Sequence, residues 1–172
     1  SGYLAGVKKL ASDRRVADEK RSKLIADGAF GLASDPLDPV AAPSPVVPTP
    51  YIELAVLENA VARLKASAIA YDATYAAKGA GLSPTTRVKL NALLADIDQL
   101  LIDDKGLPGR PWFRNLIYAP GRFTGYGAKT LPGVREAIEE RRFDDAATYA
   151  VRTAAVINAY ATRLDSARAL IE

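Results

Sequence analysis

The chain has 172 residues, a quarter of them charged and nearly half apolar, with a net charge of +3. That is enough chain for a real core, and with no basic tract interleaved with aromatics it does not read as a nucleic-acid binder. It has no cysteine and no histidine, which excludes disulfides, thiol nucleophiles, imidazole bases and every Cys- or His-based zinc site within this chain.

No apolar run reaches the length of about 18 residues that spans a bilayer, so no membrane insertion is expected, and no leader peptide is visible. The chain lacks methionine and starts at Ser1-Gly2, already inside a helical pattern. It reads as a piece of a longer protein, excised or processed.

The first helix is predicted over 3–27, with Tyr3, Val7, Leu10, Ala17 and Leu24 near one face. Its middle is polar, with eight charged residues in the twelve from Ser12 to Lys23. This reads as a solvated surface or, more pointedly, a contact with a neighbouring domain. Gly28 is the expected stop. Six prolines between Pro36 and Pro50 then forbid regular helix. An extended, partly polyproline arm over 30–50 is expected, docked through Val40, Val46 and Val47, with a free linker as the alternative.

Thr49-Pro50 looks like the cap and first turn of a long helix over 51–78. Leu54, Leu57, Val61, Leu64, Ala68, Tyr71 and Tyr75 recur at spacings of three and four, the seam of helices packed at a shallow angle. Ser83-Pro84 opens a helix over 84–104, with Leu90, Leu94, Ile97 and Leu101 on its apolar face.

Residues 107–131 break the helical pattern. Residues 107–133 hold five of the thirteen aromatic residues and four of the eleven prolines. A connector in a bundle is usually about 2–8 residues long, so this loop is expected to pack and to act. Asn115 to Ala119 reads as a short extended piece. A helix over 132–142 follows, then one over 144–171 with two apolar stripes: Tyr149, Thr153, Val156, Tyr160 and Leu164, and beside them Ala150, Ala154, Ile157 and Ala161. Alanines let another helix approach closely, so the second stripe is either internal core or the surface that meets a second copy. The expected fold is all-α, one helical domain over 1–172. It is an antiparallel four-helix-type bundle with a proline-rich arm and a long aromatic loop.

No catalytic constellation is present. Adjacent Ser-Lys pairs such as Ser22-Lys23 point in different directions on a helix. Glu139-Glu140 and Asp144-Asp145 lie at predicted helix ends, where complementing the macrodipole is the plain reading. The glycines at 121, 125 and 127 lack the strand and Lys-Ser/Thr of a phosphate loop. What remains is a set of cations and hydroxyls around the loop: Arg110, Arg114, Tyr118, Arg122, Tyr126 and Lys129, types suited to holding carboxylates. Trp112, Phe113, Tyr118 and Phe123 either plug the bundle end or join that site.

The run Leu107-Pro108-x-Arg110-Pro111-Trp112-Phe113-Arg114, then Ile117-Tyr118-Ala119-Pro120, Tyr126-Gly127 and Leu131-Pro132-Gly133, resembles the C-terminal helical domain of the glutamate carboxypeptidase II and transferrin receptor family. That module is the transferrin receptor-like dimerisation domain. The motif match is specific over 107–164 and only one of helix layout before it.

The resemblance implies a parent with a separate zinc-peptidase domain that holds the metal and the catalytic carboxylate. This chain then carries no catalytic residue and no metal ligand. It implies two partners, a second copy and the parent's peptidase domain, and relatives that act outside the cytoplasm, in the periplasm or secreted. In the peptidases a Lys-Tyr pair from this loop holds the carboxylate of a C-terminal glutamate. The tyrosine falls on Tyr126; the lysine falls on Gly125, and the family's histidine after the arginine is Asn115. Arg122 or Lys129 is then the candidate for supplying charge, with Ala150, Ala154, Ile157 and Ala161 the candidate dimer surface. The alternatives are a stand-alone helical interaction module, or a domain of a transferrin receptor-like homologue that has lost peptidase activity.

Overall fold

Two long helices organise the molecule, seen here in a computed structural model that describes residues 2–32, 34–39, 41–125 and 127–172. Helix α6, Phe143–Ala169, is the hub, and α3, Ala55–Lys78, packs along it. Most of both stripes of α6 is covered, while Tyr160 and Leu164 stay half-buried. Tyr149, Val156, Ala150, Ala154 and Ile157 are buried in one cluster with Leu57 and Ala60 of α3, and Thr153 and Ala161 are buried too. Asp144 and Asp145 stand in its first turn and Arg168 in its last, each complementing the helix dipole. Arg63 of α3 fastens the pair from outside, donating to Thr162 Oγ1 at 2.8 Å and Asp165 Oδ2 at 3.3 Å.

Helix α1, Gly2–Ala26, buries Leu4, Val7 and Ala11 near its start and meets α5, Pro132–Glu139. Gly28 stops α1 at φ +70, and a single turn, α2 (Ala29–Leu32), follows. Helix α4, Pro84–Leu94, starts as the sequence implies: Pro84 is in the first turn and Ser83 Oγ accepts from the Thr86 N–H at 3.1 Å. It ends earlier than the expected residue 104, giving way to a 3₁₀ turn over Ile97–Leu101. Such a turn keeps the spacing of three between apolar residues, which hides the break from periodicity.

The long helix starts at Ala55, not after Thr49-Pro50. Thr49 is buried, and both its N–H (2.9 Å) and its hydroxyl (2.6 Å) donate to Asp18 Oδ2 on α1. The proline-rich arm is therefore pinned at its C-terminal end while most of residues 41–48 stay exposed. Val40 lies outside the described residues. A second clamp meets the same carboxylate: Arg141, between α5 and α6, donates to Asp18 Oδ1 at 3.0 Å and Oδ2 at 2.9 Å, and also to the Val47 carbonyl. These bonds from Arg141 hold the Asp18 carboxyl well below the usual carboxylate range against the opposing effect of burial, and the Thr49 bonds add to them.

Among the described residues the chain is all-α apart from one antiparallel ribbon, β1 (Tyr118–Pro120) with β2 (Ala128–Thr130). α3, α4, α5 and the 3₁₀ turn gather on α6, and α1 joins through α5. Among the described residues no helix is long and apolar enough to cross a membrane.

Candidate functional site

The loop over 107–131 is seated by aliphatic rather than aromatic side chains. Leu107, Leu116, Ala119 and Leu131 are buried, while Trp112, Tyr118 and Phe123 are exposed and Phe113 is half-buried. The bundle end is thus closed by leucine, and three aromatics face outward. Gly106 opens the loop at φ +60, and a Cβ there would lie 2.1 Å from the Pro111 carbonyl oxygen, so only glycine fits. The Gly106 carbonyl accepts from the Tyr149 hydroxyl at 2.8 Å and from Arg152 at 3.2 Å. Arg152 also grips Asp103; its bonds lower the Asp103 pKa despite burial.

Beyond the ribbon the chain makes a closed turn over 121–127. The Gly121 N–H donates to the Gly127 carbonyl at 3.0 Å, the Gly127 N–H to the Thr124 carbonyl at 3.2 Å, and Gly125 takes φ +59. Tyr126, the candidate carboxylate holder, lies outside the described residues.

Three carboxylates at the end of α5 hold this loop. Glu136 accepts from Arg110 Nη2 on both oxygens, at 2.7 and 2.6 Å, and from the Arg122 backbone N–H at 2.9 Å. Arg110 also donates to the Pro120 carbonyl and lies 5.3 Å over the Phe113 ring. Glu139 pairs with Lys129. Glu140 accepts from Arg122 Nη1 at 3.2 Å and from Arg142 Nε at 3.1 Å. Spacings of three and four put the three acids on one side of a helix end. Both flanks of the 121–127 turn are therefore fastened to α5.

This corrects the dipole reading of Glu139-Glu140: Glu139 is the last residue of α5 and Glu140 its cap, where the dipole disfavours anions. They stand there because loop cations reach them. Lys129 is mostly covered by its pair, while the Arg122 side chain remains 42% exposed. Arg114 pairs with Asp104. Asn115 is a turn former, its Oδ1 accepting from the Ile117 and Tyr118 N–H groups at 2.8 and 3.1 Å. It sits beside Trp112, Phe113, Arg114 and Tyr118 in a recess of about 250 Å³. Ala150, Ala154, Ile157 and Ala161 face inward, at 0, 1, 4 and 0% exposure; they are placed as internal core. Among the described residues no three carboxylates converge on a metal-sized site.

A model of the transferrin receptor-like dimerisation domain family matches residues 52–165, and the chain belongs to that family. A probable glutamate carboxypeptidase of Arabidopsis thaliana is 41% identical over 54 residues, 31% of this chain. A probable glutamate carboxypeptidase of Arthroderma benhamiae is 35% identical over 80 residues, 46% of this chain. The aligned stretches make up only 8% and 11% of those relatives.

Proposed function

We propose that the chain is the homodimerisation and substrate-pocket-supporting domain of a zinc-dependent carboxypeptidase of the glutamate carboxypeptidase type, with no catalysis of its own. The observation that carries this reading is the fastening of the loop turn to α5 on both sides by Glu136, Glu139 and Glu140. A plain connector between helices has no use for a buried ion pair beneath it; a loop that must present a side chain at a fixed place does. The carboxypeptidase names of both relatives favour an active parent over a receptor-like one.

In this reading Tyr126 reaches the terminal carboxylate of a substrate held in the neighbouring peptidase domain. Of the two cations, the Arg122 side chain stays 42% exposed, and Lys129, paired with Glu139, steadies the ribbon. A zinc ion does not suit this chain, whose sequence offers no histidine or cysteine ligand; the metal belongs to the separate peptidase domain. In the same reading the parent acts outside the cytoplasm, by analogy with the family that the loop motif resembles.

The test is Tyr126→Phe in the full-length parent. Loss of one hydrogen bond to a charged group, about 1.5–3 kcal/mol, raises KM for peptides ending in glutamate by roughly 10- to 100-fold with kcat little changed. Unaltered kinetics would remove Tyr126 from the pocket.

A further inference from the structure

Helix α5 ends in a hydrogen-bond pattern that usually takes a glycine. The Arg142 N–H donates to the Ala137 carbonyl at 2.8 Å and the Arg141 N–H to the Ile138 carbonyl at 3.2 Å, with Arg141 between them at φ +61. That left-handed backbone is costly for an arginine and not for a glycine. The arginine is held there from outside the helix: both Asp18 oxygens and the Val47 carbonyl accept from it, and its guanidinium lies 5.7 Å from the centre of the Phe143 ring. The other side-chain-bearing residue with positive φ among the described residues is Leu131, which caps the opposite end of α5 where β2 arrives. Both ends of the helix under the loop are thus set by side-chain contacts against backbone preference.

We infer that Arg141 is a positioning residue, through which the proline-rich arm sets the place of the loop turn and of Arg122. The consequence for substrate rests on the pocket reading above; the geometry does not. The neighbours of Arg141 carry the connection. Glu140 accepts from Arg122 Nη1 and from Arg142 Nε on the same oxygen, Oε2, and its Oε1 is buried with no hydrogen-bond partner among the described residues. Arg142 in turn pairs with Asp145. A shift of the backbone at 141 therefore moves the one oxygen on which the Arg122 side chain is held. If residue 141 served only to end α5, glycine would serve better; what the arginine adds is the clamp on Asp18 and the arm. Asp18, Val47 and Thr49 precede the stretch matched by the family, 52–165, whereas Glu140 and Arg141 lie within it. An element outside the family match is thereby tied to the turn of the family's loop.

The test is residue-resolved hydrogen exchange of the 172-residue chain, reading the Gly121, Arg122 and Gly127 amides, which are bonded to Gly127, Glu136 and Thr124. Arg141→Gly suits the backbone and removes only the side chain, while Asp18→Asn weakens the clamp from α1, away from the loop. Each is expected to speed exchange of those three amides about 3- to 10-fold, with the amides of α3 within about 2-fold of wild type. The double variant exceeds the larger single effect by less than about 2-fold, because both changes open one clamp. Turn amides unchanged in either variant, effects of the two that multiply, or exchange that quickens equally throughout α3 would each overturn the proposal. If Arg141→Gly fails to fold, Asp18→Asn decides alone. In the full-length parent, Arg141→Gly is expected to raise KM for peptides ending in glutamate about 2- to 10-fold, with kcat within about 2-fold. A loosened turn with an unaltered KM leaves the positioning role standing and overturns the substrate-pocket reading instead.

Discussion

Glu136 holds Arg110 by both carboxylate oxygens, at 2.7 and 2.6 Å, with both side chains buried and 26 residues apart in sequence. The same carboxylate accepts the Arg122 N–H, so one acid on α5 fixes the seat of the loop and the start of its turn. Breaking such a pair leaves an uncompensated buried charge, which costs about 3–5 kcal/mol. Glu136→Ala is therefore expected to lose that much in urea unfolding, and the Arg110→Met/Glu136→Leu double variant to recover most of it. Losses under about 1 kcal/mol for Glu136→Ala would mean that the pair does not anchor the loop.

A second expectation concerns acid. Asp18 and Asp103 both titrate below the ordinary carboxylate value in the folded chain, through bonds from Arg141 and Arg152 respectively. A carboxylate lowered on folding contributes stability that is complete above its unfolded value, near 3.9, and is lost as pH falls toward its folded value. Tm should hold from pH 7 to about 5 as far as these two groups are concerned, and fall progressively below about 4. Asp18→Asn should be less stable at pH 7 and show a shallower fall in acid. An unchanged acid slope in that variant would contradict the assignment.

Gly133, in the first turn of α5, gives a sterically defined case. A Cβ there would lie 2.2 Å from the Tyr149 ring, whose hydroxyl is bonded to the Gly106 carbonyl. Gly133→Ala must displace Tyr149 from the loop, and a loss of roughly 1–3 kcal/mol is expected in thermal or urea unfolding. The Gly133→Ala/Tyr149→Leu pair should recover part of the steric cost but not the hydrogen bond. A neutral Gly133→Ala would show that α5 and α6 pack less closely than described.

These residues also show what a sequence reveals. Ser83-Pro84 was legible because a helix cap is a local event, with donor and acceptor three residues apart. Thr49-Pro50 carries the same signature and means something else, since Thr49 answers to Asp18, 31 residues away. Arg110 and Glu136 belong to one pair, but no periodicity joins a loop arginine to a helix acid. That the loop packs was legible from its length, and its family from its motif. Its anchors were not, because Glu139 and Glu140 look like any acid pair at a helix end. The stripe Ala150, Ala154, Ile157 and Ala161 has the composition of a close helix contact whichever chain supplies the other helix, and only coordinates separate the two.

The proline-rich arm allows a separate check. Thr49→Val removes the hydroxyl bond to Asp18 but retains the backbone bond and the shape. A cost of about 1–3 kcal/mol is expected, since the buried carboxylate loses a partner. Limited proteolysis should then cut within residues 41–48 faster than in the wild type, with the helical core slower to follow. Equal cleavage rates would mean that Thr49 does not hold the arm.

The central claim is that this chain joins copies of itself, and the molar mass of the isolated 172-residue chain in sedimentation equilibrium tests it most directly. A mass that rises to twice that of one chain across the micromolar range is the predicted result; a single-chain mass at every concentration would contradict it.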